Sequence, residues 1–330
     1  MSIDVLSIGD LVVEPFIKLK DARVHCNVND ETCEICMKWG DKIPYESAEI
    51  MPAVGNSANA AVACARLGLK STLRAYVGAD SNGKACIDRL KQEGVDTRFV
   101  VTDKTHETNR HYVLWYETER TILVNHQEYP YALPRMMIPP KWIYLSSLAP
   151  HSMPYHEEIL AYLDKNPRVK LAYQPGTFQM SLPEPLATKL YKRSDTFFCN
   201  KDEAKRILNE PHDKDIKDLL TKLQQRGPKV VVISDDRQGA YAHDGDHYHY
   251  VPMYPDVRAP FERTGAGDSF ASTITAALAL GKPLHEALLW GPINAMSVVQ
   301  SVGAQKGLLT RAELLDYLQK APPEYKLTSL

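Results

Sequence analysis

Arg263-Thr264-Gly265-Ala266-Gly267-Asp268-Ser269-Phe270 runs into a series of small and apolar residues that ends at Gly281. Apolar side chains recur at helical spacing over residues 270–278, so a buried helix is predicted to begin at the two glycines. Backbone N–H groups at the start of a helix can hold a phosphate, and glycine leaves no Cβ in its way. Asp268 falls in the first turn, where a carboxylate can accept the proton of an attacking hydroxyl. The stretch therefore predicts phosphoryl transfer, with Asp268 as the general base.

The glycine-rich segments are open to more than one interpretation. Short acidic residues often cap helices, so a purely structural role for Asp268 after an ordinary turn stays open from this stretch alone. A dinucleotide-binding fingerprint fits less well, since it needs a third small residue where Phe270 stands. The segment Gly78-Ala79-Asp80-Ser81-Asn82-Gly83-Lys84-Ala85 approaches a P-loop, but Ala85 lacks the hydroxyl that would hold magnesium.

Length and composition are those of an ordinary globular protein. The 330 residues, 44% hydrophobic and 24% charged, suit either one large α/β domain or two average domains. The formal net charge of −2 and the lack of a polybasic run favour neither nucleic acid nor an anionic membrane as a partner. The N-terminus has no basic start followed by a long apolar region, and no apolar run is long enough to span a bilayer. A cytoplasmic location is expected.

Six cysteines occur, three of them close together. Without a secretory signal, reduced thiols are expected rather than a disulfide framework. Cys26, Cys33 and Cys36, with His25 beside them, include a C-x-x-C spacing that suits tetrahedral zinc. A second C-x-x-C is missing, so free thiols are the favoured interpretation and a structural zinc site is the alternative.

Apolar runs typical of strands alternate with turn and helix signals along most of the chain. Such alternation predicts a mainly parallel sheet covered by helices. The irregular segment from Leu11 to Glu49 is long for a compact domain, which indicates a lid or an insertion. The runs that read as strands cover residues 3–8, 141–148, 169–173, 195–199 and 229–234.

Thr264-Gly265-Ala266-Gly267-Asp268 resembles the C-terminal signature of the ribokinase (PfkB) family of carbohydrate and nucleoside kinases. Residues 53–60 are similar to the family's N-terminal signature, and Asn200-Lys201-Asp202-Glu203 to its N-x-x-E motif. The resemblance implies one ribokinase-like domain over residues 1–330, a three-layer α/β/α sandwich with a mainly parallel central sheet. It also implies a small β-sheet lid formed by about residues 11–50 and 105–126.

The same resemblance implies roles for individual residues. Asp10, Asn56 and Asn59 can also be turn or capping residues, and Asn followed by Glu three places later is close to a capping box. Carboxylate and amide oxygens nevertheless suit Mg²⁺ and its waters, which favours Glu203 as a metal residue acting through water. The implied sites are catalytic (Asp268, Gly265, Ala266, Gly267), substrate-binding (Asp10, Gly55, Asn56, Asn59) and nucleotide-binding (Asn200, Glu203, Ser234, Gly239, Thr264, Asn294).

Three positions depart from the family pattern. Val54 replaces the first glycine of the N-terminal signature, and a β-branched residue disfavours positive φ, which affects the expected turn shape. Asp236 replaces the middle glycine of the motif between Ser234 and Gly239. The turn at Gln174 lacks the family's Asp and Asn, so no role is predicted for it.

The resemblance implies ATP and Mg²⁺ as cofactors, and Glu262 lies where some relatives organise a monovalent cation, which leaves K⁺ open. The acceptor is a hydroxyl of a small ribose-, fructose- or keto-sugar-like compound, or alternatively of a nucleoside. A ligand-binding regulator without activity is the third hypothesis, and it is disfavoured because the base and the glycines are kept. Aromatic residues of the second lid segment, including Trp115, can cover a substrate or anchor a homodimer formed through the lid.

Overall fold

Strands and helices alternate along most of the chain in the computed structural model, which describes residues 2–26, 33–117, 119–210 and 214–330. The elements are β1 (Val5–Ile8), β2 (Val12–Leu19), β3 (Arg23–Cys26), β4 (Cys33–Cys36), β5 (Tyr45–Val54), α1 (Asn56–Arg66), β6 (Ser71–Gly78), α2 (Ser81–Gln92), β7 (Val100–Asp103), β8 (Tyr112–Tyr116), β9 (Glu119–Leu123), β10 (Trp142–Leu145), α3 (Met153–Lys165), β11 (Lys170–Tyr173), α4 (Glu184–Arg193), β12 (Thr196–Asn200), α5 (Lys201–Leu208), α6 (Ile216–Gln225), β13 (Val230–Ser234), β14 (Ala240–His243), β15 (Tyr248–Val251), α7 (Ala266–Ala279), α8 (Leu284–Val298), α9 (Arg311–Gln319) and β16 (Thr328–Ser329).

The large sheet has the order β7-β6-β1-β10-β11-β12-β13-β14-β15-β16. Pairing is parallel from β7 to β13 and antiparallel from β13 to β16. All four residues of β1 and all eight of β6 are buried, as strands covered on both faces should be. The predicted mainly parallel sheet is confirmed.

Alternate residues of β1 enter two different cores. Val5 packs in the core beneath α1, α7 and α8, whereas Leu6 and Ile8 pack in the core beneath α3, α4 and α6. Helices therefore cover both faces of the sheet, because successive side chains of a strand point to opposite sides. The predicted three-layer α/β/α sandwich is confirmed.

Helix α7 begins at the predicted place. Gly265 precedes it with φ of 80°, and a Cβ there would lie 2.5 Å from Cα of Ala304. Both the left-handed conformation and the close approach require glycine. The helix ends at Ala279, and Gly281 follows with φ of 83°.

A separate four-stranded sheet, the lid, has the order β5-β2-β8-β9. Its two pieces come from residues 12–54 and 112–123 and meet where β2 runs parallel to β8, with Phe16 opposite Val113. Glu14, Phe16 and Lys18 of β2 share one face with Val113 and Trp115 of β8, because their register is in phase. Glu14 and Phe16 are buried, so this face is turned to the body of the protein.

The cysteine cluster forms a small exposed hairpin, β3-β4, between β2 and β5. Cys26 and Cys33 are joined by a disulfide, while Cys36 is a free, exposed thiol. The expectation of reduced thiols is wrong for this pair, because the antiparallel register places the two residues directly opposite each other. The disulfide occupies two of the three thiols that the zinc alternative requires, and no metal-binding cluster occurs among the described residues.

One further expectation concerns the backbone at Val54. Val54 ends β5 without positive φ, and it is Ala53, with φ of 62°, that adopts the left-handed conformation. The departure from the family pattern at Val54 therefore does not strain the backbone there.

None of the helices within the described ranges is long and apolar enough to cross a bilayer.

Candidate active site

Asp268 occupies the first turn of α7, on the wall of a cavity of about 310 Å³. Three side-chain amides donate to its carboxylate: Asn59 to Oδ2 at 2.8 Å, Asn56 to Oδ1 at 2.8 Å and Gln174 to Oδ1 at 3.3 Å. Burial raises the pKa of Asp268 above its usual value, while the three donors act in the opposite direction. The carboxylate is therefore held in one orientation, with an increased affinity for a proton.

The turn before Asp268 can receive an anion. Gly265 and Gly267 line the same cavity as the carboxylate, and the first N–H groups of a helix have no partner within the helix. A Cβ at Gly267 would meet nothing closer than Nε2 of Gln174 at 4.0 Å, so the backbone here is open to a ligand. This arrangement places a phosphate-binding helix terminus beside a potential base.

The loop before α1 forms another wall of the cavity. Gly55 has φ of 106°, and a Cβ there would lie 2.8 Å from the carbonyl oxygen of Asp10. Glycine is needed because the end of β1 passes so close to the start of α1. Gly55, Asn56 and Asn59 all line the cavity with Asp268.

Asp10 lies behind this loop and is not among the residues that line the cavity. The hydroxyl of Tyr131 donates to its Oδ1 at 2.6 Å, and Nδ1 of His126 lies 3.0 Å from its Oδ2. Tyr131 is itself fixed between the rings of His151 and Tyr155. Tyr131 and His126 thus cover the side chain of Asp10, while its backbone packs against Gly55 of the loop before α1.

A larger cleft of about 460 Å³ adjoins the first cavity on the other side of the glycine turn. Ser234 and Gly239 line it, as does Gly267. Its remaining wall includes apolar side chains such as Met296 in α8 and Val299, which directly follows that helix. A cleft with apolar walls next to an anion-binding turn suits a nucleotide.

Asn200 and Glu203 cap α5 and also face the cavity. Oδ1 of Asn200 accepts from the Glu203 N–H and Oε2 of Glu203 accepts from the Asn200 N–H, both at 2.8 Å, which is a complete capping box. Both residues also line the cavity that contains Asp268. Burial raises the pKa of Glu203, and the nearby charge of Asp268 adds to the effect. Two carboxylates that oppose each other's ionisation fit a site for a divalent cation.

Asn294 does not lie in the nucleotide cleft, which corrects the expectation that it lines the base pocket. It is completely buried; its Nδ2 donates to Oγ1 of Thr273 at 2.8 Å and its Oδ1 accepts from the Leu309 N–H at 2.9 Å. Pro292, Ala295 and Met296 of the same helix line the cleft instead. The amide of Asn294 ties α8 to α7 and to the segment before α9.

Thr264 and Glu262 shape the chain that enters the glycine turn. The Thr264 N–H donates to Oε1 of Glu262 at 2.7 Å, and Thr264 lines the cavity that contains Asp268. Burial raises the pKa of Glu262 above its usual value. The Glu262 carboxylate therefore fixes the backbone directly ahead of the turn.

Several polar residues of the cavity were not predicted from the sequence, among them Gln174, Glu14 and Arg120. Gln174 holds Asp268, and its own Oε1 accepts from the hydroxyl of Tyr144. Glu14 from β2 and Arg120 from β9 reach the cavity from the lid. The only signal for Gln174 was its place directly after a buried strand, where parallel sheets bind ligands.

Curated relatives are similar over most of the chain. The ribokinase of Bacillus subtilis is 27% identical over 288 residues, which cover 85% of this chain and 92% of that protein. The 5-dehydro-2-deoxygluconokinase of Halalkalibacterium halodurans is 25% identical over 284 residues, 81% of this chain and 85% of that protein. A bifunctional ribokinase/ribose-5-phosphate isomerase A of Fructilactobacillus sanfranciscensis is 24% identical over 278 residues, and the match covers 81% of this chain but 49% of that longer protein.

Solved structures share the fold. Arabidopsis thaliana ribokinase complexed with ribose and ATP superimposes with a TM-score of 0.80, covering 97% of this chain and 99% of the other at 18% identity. The sequence model of the pfkB family carbohydrate kinases matches residues 49–311 of this chain. These residues include the glycine turn, Asp268, Asn200 and Glu203. A match over that much of the chain shows that the protein belongs to the pfkB family of carbohydrate kinases.

Proposed function

We propose that the protein is an ATP-dependent kinase that transfers the γ-phosphate to a hydroxyl of a small sugar. The observation that carries the proposal is the position of Asp268. Its carboxylate is fixed by Asn56 and Asn59 on the substrate side, and it stands in the first turn of the anion-binding helix that borders the nucleotide cleft. A base, an oxyanion site and two adjoining cavities are the parts that phosphoryl transfer requires.

In the proposed mechanism, ATP lies in the cleft at Ser234 and Gly239, with its γ-phosphate against the N–H groups of Gly265 to Gly267. Asp268 accepts the proton of the substrate hydroxyl as that oxygen bonds to the γ-phosphorus. The bond to the β-phosphate oxygen breaks and ADP leaves. Asn56, Asn59 and Gln174 hold the base in place throughout.

Mg²⁺ is the metal that fits the residues present. Glu203 and Asn200 would hold it, in the case of Glu203 through water, and the metal would neutralise charge on the phosphates. The free Oε1 of Glu203 supports this assignment, since the capping bond uses only Oε2. Glu262 is retained as a K⁺ candidate on the basis of its position before the glycine turn.

The chemistry of the cavity favours a sugar over a nucleoside. Its described lining is mostly polar, with Glu14, Asn56, Asn59 and Gln174 available to hydroxyl groups. The aromatic residues that could have stacked on a base lie elsewhere: Trp115 packs edge-on against Phe261 at 5.5 Å. The same contact turns Trp115 to the body of its own chain, so a dimer contact is inferred for other residues of the lid.

A panel of sugars and nucleosides tests the proposal directly. Ribose, fructose, keto-sugars, 5-dehydro-2-deoxygluconate, adenosine, inosine, guanosine and cytidine are each incubated with ATP and Mg²⁺ while ADP release is measured. We expect at least one sugar to be phosphorylated with a higher kcat/KM than any nucleoside. Preference for a nucleoside would replace the sugar assignment, and binding without turnover of any compound would favour a regulator.

We also infer a homodimer that forms through the lid, and a cytoplasmic location. Support for the dimer comes from exposed apolar residues on the outer lid face, which is turned away from the cavity. Ile50, Tyr112 and Leu123 are 66%, 38% and 53% exposed. Contact between two such faces would cover apolar area and the edge strands β5 and β9.

A further inference from the structure

Arg120 is carried over the glycine turn by the β8-β9 hairpin. It lies directly opposite Trp115 in the antiparallel register, so the two side chains share the inner face of the lid. The contact of Trp115 with Phe261 docks this part of the hairpin on the segment that leads into Thr264 and Gly265. Arg120 consequently lines the same cavity as Asp268, Thr264 and Gly267.

The charges around the cavity call for a cation at this position. Glu14, Glu203 and Asp268 all line it, and the terminal phosphate of ATP would bring further negative charge to the same space. The described basic residues of the lining are Arg120 and Arg263. Arg263 is directed to Asp236 at 3.4 Å, on the side of the nucleotide cleft.

The described carboxylates of the lining do not neutralise Arg120. Glu14 lies 3.7 Å from Nδ1 of His111, Asp268 is engaged by three amides, and Glu203 by its own helix terminus. Arg120 lies near enough to the glycine turn to influence Glu262, the residue two places before Thr264. Burial raises the pKa of the Glu262 carboxyl, and the positive charge of Arg120 partly opposes that rise. A guanidinium so placed can offer several N–H donors to the oxygens of one phosphate.

We propose that Arg120 is a catalytic residue delivered by the lid, which contacts the phosphoryl group while it passes from ATP to the substrate oxygen. The inference rests on the proposed kinase function and adds a charge that the glycine turn and Asp268 do not supply. In the transfer, the bond between the γ-phosphorus and the bridging oxygen of ADP breaks as the bond to the acceptor oxygen forms, and Asp268 keeps the acceptor's proton. Arg120 takes no proton. Its positive charge stabilises the equatorial oxygens of the phosphoryl group during its transfer from the ADP oxygen to the acceptor oxygen.

The same guanidinium could instead bind an acidic group on the acceptor, and the experiment separates these two anions. Arg120→Ala and Arg120→Lys are compared with the wild type and with Arg23→Ala, which removes an exposed charge on β3 of the separate β3-β4 hairpin, outside the cavity lining. Values of kcat and KM are measured with D-ribose and D-fructose as neutral acceptors and D-gluconate and 5-dehydro-2-deoxygluconate as acidic ones. Guanidinium chloride at millimolar concentration is then added to each variant.

With a neutral acceptor we expect Arg120→Ala to lower kcat by about 10²–10³-fold, the usual effect of losing one oxyanion donor, with the acceptor KM changed less than about threefold. Added guanidinium should restore part of the activity of Arg120→Ala but not of Asp268→Asn. Arg120→Lys should fall between wild type and Arg120→Ala, and Arg23→Ala should match the wild type.

Two results would overturn the inference while leaving the kinase assignment intact. One is a fully active Arg120→Ala enzyme with neutral acceptors, and the other is a loss confined to the KM of acidic acceptors. A loss of kcat in Arg120→Ala without rescue, together with full activity of Arg120→Lys, would show that any cation suffices and that no guanidinium contact is made. An inactive wild type on the whole panel would remove the proposed function and the inference together.

Discussion

Nδ2 of Asn59 donates a 2.8 Å hydrogen bond to Oδ2 of Asp268, which joins α1 to the first turn of α7. The direction of this amide is fixed, because Oδ1 of Asn59 accepts from Nε2 of Gln305 at 3.0 Å. Gln305 in turn donates to the carbonyl oxygen of Ala53 at 2.6 Å. Asp268 therefore always faces an N–H donor from Asn59, which stabilises its ionised form in a site that otherwise favours the neutral acid.

Replacement of the base is the first prediction. Asp268→Asn keeps the shape and polarity of the side chain but cannot accept the proton of the substrate. We expect turnover to fall by about two to four orders of magnitude, with ATP and sugar affinities largely retained. Steady-state kinetics and calorimetric titration measure the two effects. The matched control is Asp218→Asn on the exposed surface of α6, which should be indistinguishable from wild type, and an Asp268→Asn enzyme within a few-fold of wild type would exclude the base assignment.

The pH dependence follows from the groups around Asp268. The base must be ionised to act, and burial raises its pKa, so activity should be lost on acidification at a higher pH than for an exposed aspartate. Asn56→Ala removes a donor to Oδ1 that favours the ionised form. The pKa should then rise further, and the acid limb of kcat/KM against pH should move to higher pH.

A profile of log kcat/KM between pH 4 and 9 measures this shift. Weaker sugar binding by Asn56→Ala would lower the whole profile without moving its limb, so the two effects are separable. Asn166→Ala serves as the control. The Asn166 amide donates to the carbonyl oxygen of Tyr162 at the end of α3 and makes no bond to Asp268. A limb that stays in place, or moves to lower pH, would contradict the role of Asn56 at Asp268.

What the sequence revealed of the site depended on how local each feature is. The glycine turn and Asp268 belong to one segment, and Asn200 with Glu203 to another, so short local motifs and their resemblance to family signatures marked them. Gln174 reaches Asp268 across 94 positions of sequence, and no local pattern reports such a contact. Arg120 likewise arrives from the lid, whose docking is decided by packing between distant aromatic residues.

Two predicted site residues have surroundings that the sequence did not indicate, for physical reasons. Asn294 was placed in the right helix, but successive residues of a helix differ by about 100° in direction, so its neighbour Ala295 faces the cleft while Asn294 faces α7. Asp10 was placed correctly at the end of β1. The loop that brings Tyr131 and His126 over it has no periodic pattern, and its contacts could not be foreseen.

The third prediction separates two requirements for glycine. Gly265 and Gly281 have nearly the same φ, 80° and 83°, but a Cβ at Gly265 would meet Ala304 whereas nothing lies within 4 Å of one at Gly281. Gly281→Ala should therefore show only the cost of a left-handed backbone, about 1–2 kcal/mol of unfolding free energy. Gly265→Ala should lose more, and its kcat should fall by about 10²-fold or more because the turn and its N–H groups must move.

Denaturant unfolding and steady-state kinetics on both variants test this comparison. Gly281→Ala is expected to keep its kcat, since the residue ends α7 at the opposite end from the site. Equal losses of stability in the two variants, with kcat unchanged in Gly265→Ala, would mean that the backbone at Gly265 does not form part of the phosphate site.

The last prediction concerns the outer face of the lid. Leu123 of β9 pairs with Tyr112 of β8, and both side chains point away from the cavity. Strand β9 is an edge strand of the lid. Covering this face in a homodimer would remove apolar area from water, and a charge introduced there would have to be buried without a partner. Leu123→Glu should therefore raise the dimer dissociation constant by about 30-fold or more. Val257→Glu is the matched control, because Val257 is 65% exposed but lies outside the lid. Sedimentation velocity at micromolar concentration should show a dimer for wild type and Val257→Glu and a monomer for Leu123→Glu. A wild-type monomer, or a dimer that Leu123→Glu leaves intact, would show that the exposed face of the lid is not where two copies of this chain meet.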